Sequence, residues 1–361
     1  MWIDYLVWTV QNLLFPIVVP VVLLTGVILA VWIERRGAAF IQDRVGPNRV
    51  HLFGLPNAGL MQPIADALKL LIKEEFMPER ADRFLFYMAP AVSMIIAILT
   101  YMVIPFGDVL VIGKYEIPLQ VADLNVGLLF IFAIASLGVY GIVLGGWAAD
   151  NKYTLLGGLR SSAQMISYEI AMGLSIIGIL IVFESVRLNE IVRMQGELVF
   201  GILPRWGIVV QPLGFLLFFV ASLAETNRIP FDLPEAEAEI VAGYHLEYSS
   251  FKFSMFFMAE YVNMMVASGF LVSLFLGGWQ IPWLPTEVLV DRVGPAVTAL
   301  LQVGTFVAKL WFVMWVFVWL RWTLPRFRYD QLMGLGWRVM LPLALVNLCV
   351  TSIVPFVLGI Y

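Results

Sequence analysis

Apolar residues fall in long unbroken runs rather than in alternation, and the runs recur at a length that fits a bilayer. A helix needs about 20 mainly apolar residues to cross the hydrocarbon. Runs of that order occupy 13–33, 84–106, 125–147, 163–183, 208–224, 253–276, 296–320 and 339–358. They predict an all-α polytopic membrane protein, a single membrane domain over residues 1–361 with eight transmembrane helices and both termini on one side. The first run lacks the basic head and small-residue cleavage site of a signal peptide, so 1–31 reads as a retained anchor.

The connections differ in character. In 62–75, Ile64, Ala67, Leu68, Leu71 and Ile72 recur at helical spacing, while Asp66, Lys69 and Lys73 take the opposite side. That pattern predicts a helix lying in the membrane interface. Ahead of it, RVGPNR at 44–49 reads as a turn. In the fifth connection Pro230 and Pro234 punctuate the chain, and Asp232 is placed to cap a short helix beginning near Leu233 or Pro234. On that helix Glu235 and Glu239 share a face and Glu237 projects elsewhere.

Charge sets the orientation. The connections near 34–83, 148–162, 225–252 and 321–338 carry sixteen Lys and Arg, against five in the others. The positive-inside bias therefore puts the odd-numbered connections in the cytoplasm and both termini outside. With 61% hydrophobic and 13% charged residues and a mean hydropathy of +0.90, the chain is dissolved mainly in lipid. A net charge of −4 gives no basic face for nucleic acid. One cysteine, Cys349, and two distant histidines, His51 and His245, supply no ligand set for a metal, cluster or haem. Redox chemistry would have to be carried by a partner or by the substrate.

The densest chemistry lies at 223–248, where Glu225, Asp232, Glu235, Glu237, Glu239 and Glu247 meet one cation, Arg228. Phe231, Leu233, Ile240, Val241, Tyr244 and Leu246 are interleaved with them, so part of the segment must be buried, and crowded buried carboxylates hold protons more readily. Inside the runs stand Glu169, Glu260 and Lys309, and Glu34, Arg35 and Arg36 end the first. Each alone has a structural reading, as a paired or snorkelling group, but together with the acidic loop they describe a polar track. The tryptophans near run ends fit an interfacial belt.

Four stretches, 34–75 (ERRGAAFIQDRVGPNRV, then GLMQPIADALKLLIKEE), 145–169 (GGWAADNKYTLLGGLRSSAQMISYE), 223–248 (LAETNRIPFDLPEAEAEIVAGYHLEY) and 321–337 (RWTLPRFRYDQLMGLGW), together resemble the quinone-site membrane subunit of bacterial respiratory complex I. They cover about a third of the chain, in order. The resemblance implies a core subunit of a proton-translocating NADH-quinone oxidoreductase in the bacterial inner membrane. It joins peripheral quinone-site subunits to the pumping membrane-arm subunits and binds no cofactor alone. Quinone is the substrate, and flavin and iron-sulphur clusters belong to partners.

By position, Arg35, Arg36, Asp66, Ala67, Lys69, Arg228 and Phe231 resemble residues lining a quinone tunnel or its mouth. Glu34, Glu169, Glu225, Asp232, Glu235, Glu237, Glu239, Glu247 and Glu260 resemble an acidic path toward the pumps. No residue is assigned to covalent catalysis. Two departures stand out: Asp150 where the pattern usually has Asn or Ser, and AEI at 238–240 in place of a polar-Glu-Leu triplet. The alternatives are the homologous membrane subunit of a proton-pumping hydrogenase or formate-oxidising complex, a stand-alone secondary transporter, and a scaffold joining other subunits.

Overall fold

A computed structural model describes residues 9–50, 59–199, 203–233 and 237–358, without the side chains at 11, 12, 112, 199, 237, 238 and 354–358. After a π-helical turn (Val10–Leu14) comes α1 (Phe15–Ile41). The short α2 (Gln62–Ile72) precedes α3 (Arg83–Tyr101), α4 (Gly127–Ala148) and α5 (Lys152–Phe183). Next come α6 (Leu188–Met194), the one-turn α7 (Gly207–Val210), α8 (Pro212–Glu225), the one-turn α9 (Glu237–Ile240) and α10 (Ser250–Phe275). Then follow α11 (Thr286–Val293), α12 (Pro295–Thr323), α13 (Tyr329–Gly334) and, across a π-helical turn, α14 (Leu341–Leu358).

Among the described residues seven helices are long and apolar enough to cross a membrane. The expected fifth span is α8, whose 14 residues make only about 21 Å of helix. Gln211, at φ −133° and ψ 62°, separates α8 from α7, and Pro212, which lacks an N–H, starts the new helix. The Gln211 amide then bonds α14, donating to Thr351 Oγ1 at 2.6 Å and accepting from Asn347 Nδ2 at 3.0 Å.

Two boundaries and the presence of strand correct the sequence reading. α5 begins at Lys152, eleven residues before the apolar run, because Asn151 Oδ1 caps it by accepting from Tyr153 N at 2.9 Å. Helix returns at Tyr329, inside what hydropathy marks as a connection. The chain is also not wholly α: Val109–Ile112 pairs antiparallel with Tyr115–Pro118, and Leu198–Val199 with Leu203–Pro204. Gly113, at φ +66°, opens the two-residue turn of the first hairpin, a conformation that suits glycine.

α10 is buried along most of its length between α1, α3, α8 and α12. The outward faces are apolar, with Ile17, Val22, Leu129, Leu300 and Phe312 all exposed, the surface expected of a bundle whose solvent is hydrocarbon. The odd-numbered connections gather at one end, where Asp82 N donates to Ala148 O, Phe327 N to Pro230 O and Ser250 Oγ to Leu70 O. Asp150 turns there at φ +50°, which Asp tolerates as Asn does, so the departure from the family pattern leaves the backbone undisturbed. The hairpins lie at the other end, pinned by Asp108, whose N–H donates to Gln302 and whose carboxylate accepts from Arg193 at 2.6 Å.

Candidate functional site

The site grows from the loop between α8 and α10. Gln164, fully buried on α5, donates from Nε2 to Ala224 O at 2.7 Å and Phe231 O at 2.8 Å, fixing both sides of the turn. Phe231 packs between Tyr168 and Phe327, its ring centroid 5.5 Å and 5.6 Å from theirs. Farther along, a Cβ at Gly157 would sit 2.7 Å from Gly243 Cα, so only glycine lets the loop lie this close to α5.

This loop delivers Arg228 to a buried charge cluster. Glu34, 8% exposed on α1, accepts from Tyr261 Oη on α10 at 2.6 Å and from Arg321 Nη1 on α12, and Arg228 Nη1 lies 3.6 Å from it. The Arg228 guanidinium also sits 4.4 Å from the Tyr261 ring centroid. Two cations and a hydroxyl thus surround one carboxylate, the compensation that a charge away from water requires.

The first turn of the helix that Asp232 is expected to cap, residues 234–236, lies outside the described residues, while Asp232 Oδ2 accepts from Arg326 Nη2 at 3.1 Å. Burial lifts its pKa to about 6, against the downward pull of Arg326, Arg321 and Arg228, while Glu260 raises it further. Glu260 accepts from Tyr244 Oη at 2.9 Å and lines a cavity together with Glu225, Asn227, Asn263, Ser93 and Thr100. The water-accessible volume is about 70 Å³, room for about five waters. Glu225 lies within electrostatic reach of Glu169, which accepts from Ser136 Oγ. Arg321 acts on both Glu34 and Asp232, Asp232 feels Glu260, and Glu260 shares the cavity with Glu225, so these acids and Glu169 are near neighbours in turn.

The other expected residues are placed apart from this series. Glu239 is half exposed and pairs with Arg160 at 2.7 Å. Glu247 accepts from Asn151 Nδ2 at 2.6 Å. Glu235 and the side chain of Glu237 lie outside the described residues, and so does the face expected to join Glu235 to Glu239. On α2, Asp66 pairs with Arg35 at 2.5 Å and accepts from Gln62 at 3.0 Å. Ala67 and Lys69 are exposed, and Arg36 is half-buried against the backbone of Gly46. His245 stands beside the site, where burial holds its pKa below the usual histidine range.

A family model described as NADH dehydrogenase matches residues 14–352. The first of the NADH-quinone oxidoreductase H subunits of Geobacter metallireducens is 51% identical over 331 residues, 92% of each chain. The H subunit of Thermomicrobium roseum is 52% identical over 90% of this chain and 89% of its own, and that of Bdellovibrio bacteriovorus 45% over 94% and 95%. The chain belongs to the family of NADH-quinone oxidoreductase H subunits.

Within that family frame, the residues that sequence reasoning misses are partners rather than acids. Arg321 and Arg326 lie in the last resembling stretch but read there only as topological cations, and Tyr261 follows Glu260 with no signal of its own. Lys309, which reads as part of a polar track, instead donates to Leu276 O at 2.7 Å, Gly278 O at 3.0 Å and Gln280 O at 2.7 Å. All three of its protons are spent capping the chain beyond α10.

Proposed function

We propose that this chain is the quinone-site membrane subunit of a proton-translocating NADH-quinone oxidoreductase. It spans the inner membrane eight times, with α7 and α8 together as the fifth span, α2 floating at the interface and both termini outside. Peripheral and membrane-arm subunits are its partners, and they hold the flavin and clusters. Quinone passes the mouth formed by Arg35, Arg36, Asp66, Ala67 and Lys69 and runs beside Arg228 and Phe231.

The observation that carries this reading is the run of neighbouring carboxylates that starts at the buried Glu34 cluster and continues along a cavity with room for several waters. Reduction of quinone by two electrons before protonation adds up to two negative charges near the series. At ~10 Å and an effective dielectric of ~20, each raises a carboxylate's ionisation cost by about 1.7 kcal/mol, or ~1.2 pKa units. Asp232 and Glu260 then take up protons, and the waters of the cavity pass the change to Glu225 and Glu169. Glu239 and Glu247 bias the same loop from its outer side, and Glu235 and Glu237 belong with them to the proposed proton path.

The test is Glu260→Gln and Glu225→Gln in the assembled complex, with NADH-driven quinone reduction and proton uptake into vesicles measured together. Loss of uptake in a complex that still reduces a hydrophilic acceptor supports the reading. Normal uptake in both variants removes the series from the proton path.

A further inference from the structure

α2 has little to hold it where it lies. Of its eleven residues only Pro63 is buried, and Ile64, Leu68, Leu71 and Ile72 are exposed. Packing against the bundle therefore does not fix its position, and polar contacts at its two ends must. Near the start, Asp66 is paired with Arg35 of α1.

The other end is bound to the first residues of α10. Ser250 Oγ lies 2.9 Å from both Leu70 O, a carbonyl of the last turn with no partner within the helix, and Lys73 O, of the extended residue that ends it. Ser249 Oγ reaches Glu74 O at 3.4 Å. Lys252 Nζ pairs with Glu75 Oε1 at 2.8 Å, and its ammonium sits 3.6 Å from the Tyr87 ring centroid and 4.6 Å from that of Phe86. Lys252 is only 4% exposed, so its charge is committed to this pocket of one acid and two aromatic faces. The same short segment carries Glu247, bound to Asn151, and Tyr248, stacked on Phe86 at 4.1 Å between centroids.

We propose that Lys252 is a positioning residue for the quinone mouth: through Glu75 it latches the far end of α2 to the start of α10, tying Asp66, Ala67 and Lys69 to the acidic loop. This rests on the tunnel reading above. With the latch closed, α2 is held at both ends and presents its polar face at a fixed distance from Arg35. With it open, α2 pivots about the Arg35–Asp66 pair, and the mouth loses its set width. Because the latch residues follow Glu247 directly, a shift of the loop on protonation moves the mouth as well.

The experiment uses the whole complex in native membranes. A spin label is placed at Ile72→Cys, which is exposed, in a Cys349→Ser background, and the label's mobility and the quinone KM are measured for Lys252→Gln, Glu75→Gln and the exchanged pair Lys252→Glu with Glu75→Lys. Both neutral variants are expected to raise label mobility and to raise KM for quinone several-fold with kcat nearly unchanged, the signature of lost binding in ground and transition states alike. The exchanged pair is expected to restore part of both. Glu75 is half exposed, so Glu75→Gln reports even if Lys252→Gln fails to assemble.

Unchanged mobility in an assembled variant overturns the latch, and raised mobility with unchanged KM overturns the positioning role. Asp66→Asn serves as the control for the tunnel. If it leaves KM unaltered, the mouth is elsewhere, while the mobility data still judge the latch.

Discussion

The hydroxyl of Tyr261 donates to Glu34 Oε2 at 2.6 Å, joining the middle of α10 to the end of α1 across 227 positions of sequence. Arg321 holds the other oxygen, so the carboxylate cannot turn without losing one of them. Removing a donor from a buried charged acceptor costs about 1–3 kcal/mol. Tyr261→Phe is therefore expected to lower kcat/KM for quinone by about tenfold. Steady-state kinetics on membranes, with NADH-ferricyanide activity as the assembly control, check it.

Asp232 gives the loop a pH dependence. Its pKa is raised in the folded protein to about 6, chiefly by burial. Between the ordinary carboxylate range and about 6 the folded state binds the extra proton, so stability from this group is full at low pH and declines as pH rises through that window. Relative to wild type, Asp232→Asn is expected to flatten thermal stability between about pH 4 and pH 6. It is also expected to remove a titration near pH 6 from the activity profile. Unfolding scans and rate profiles over that range test both.

Glu239 and Glu260 separate exposure from burial. The Arg160–Glu239 pair is partly solvated, and such pairs contribute about 0–1 kcal/mol. Glu260 faces the cavity and is held by Tyr244. Proton uptake in vesicles is expected to fall at most about twofold for Glu239→Gln, a loss below the ~0–1 kcal/mol of such a pair, and much further for Glu260→Gln.

Lys309 supplies three donors to three carbonyls. Lys309→Met leaves these acceptors without their donor beside the Trp206 ring, which lies 4.5 Å from the ammonium. The expected result is a lower melting temperature of the solubilised complex with the quinone KM unchanged. Lys309→Gln, which keeps two donors, is expected to lose less. A thermal-shift series settles the order.

Hydropathy makes most of the bundle legible, because lipid solvates only apolar faces and each long run has to be a helix. It misses the start of α5, since 152–162 is polar enough to read as a loop yet is capped by Asn151. It also misses the first hairpin, whose two short strands of four residues are hidden in a connection, although Gly113–Lys114 between VLVI and YEIP is a usable turn signal. The acids are legible as a cluster, but the pairing is not. Nothing local tells that Glu34 meets Arg321 or that Asp232 meets Arg326, contacts made across 287 and 94 positions.

The length of α5 has a mechanical consequence. Its 32 residues extend about 48 Å, some 18 Å more than the hydrocarbon is thick. From Glu169 to the capped end is about 25 Å of stiff rod, with Arg160 and Gln164 gripping the acidic loop along it. A tilt of about 5° at Glu169 swings that end by about 2 Å, enough to break a hydrogen bond. Under the proposed proton path, a change of charge at Glu169 is expected to act as a lever stroke at the far end of α5.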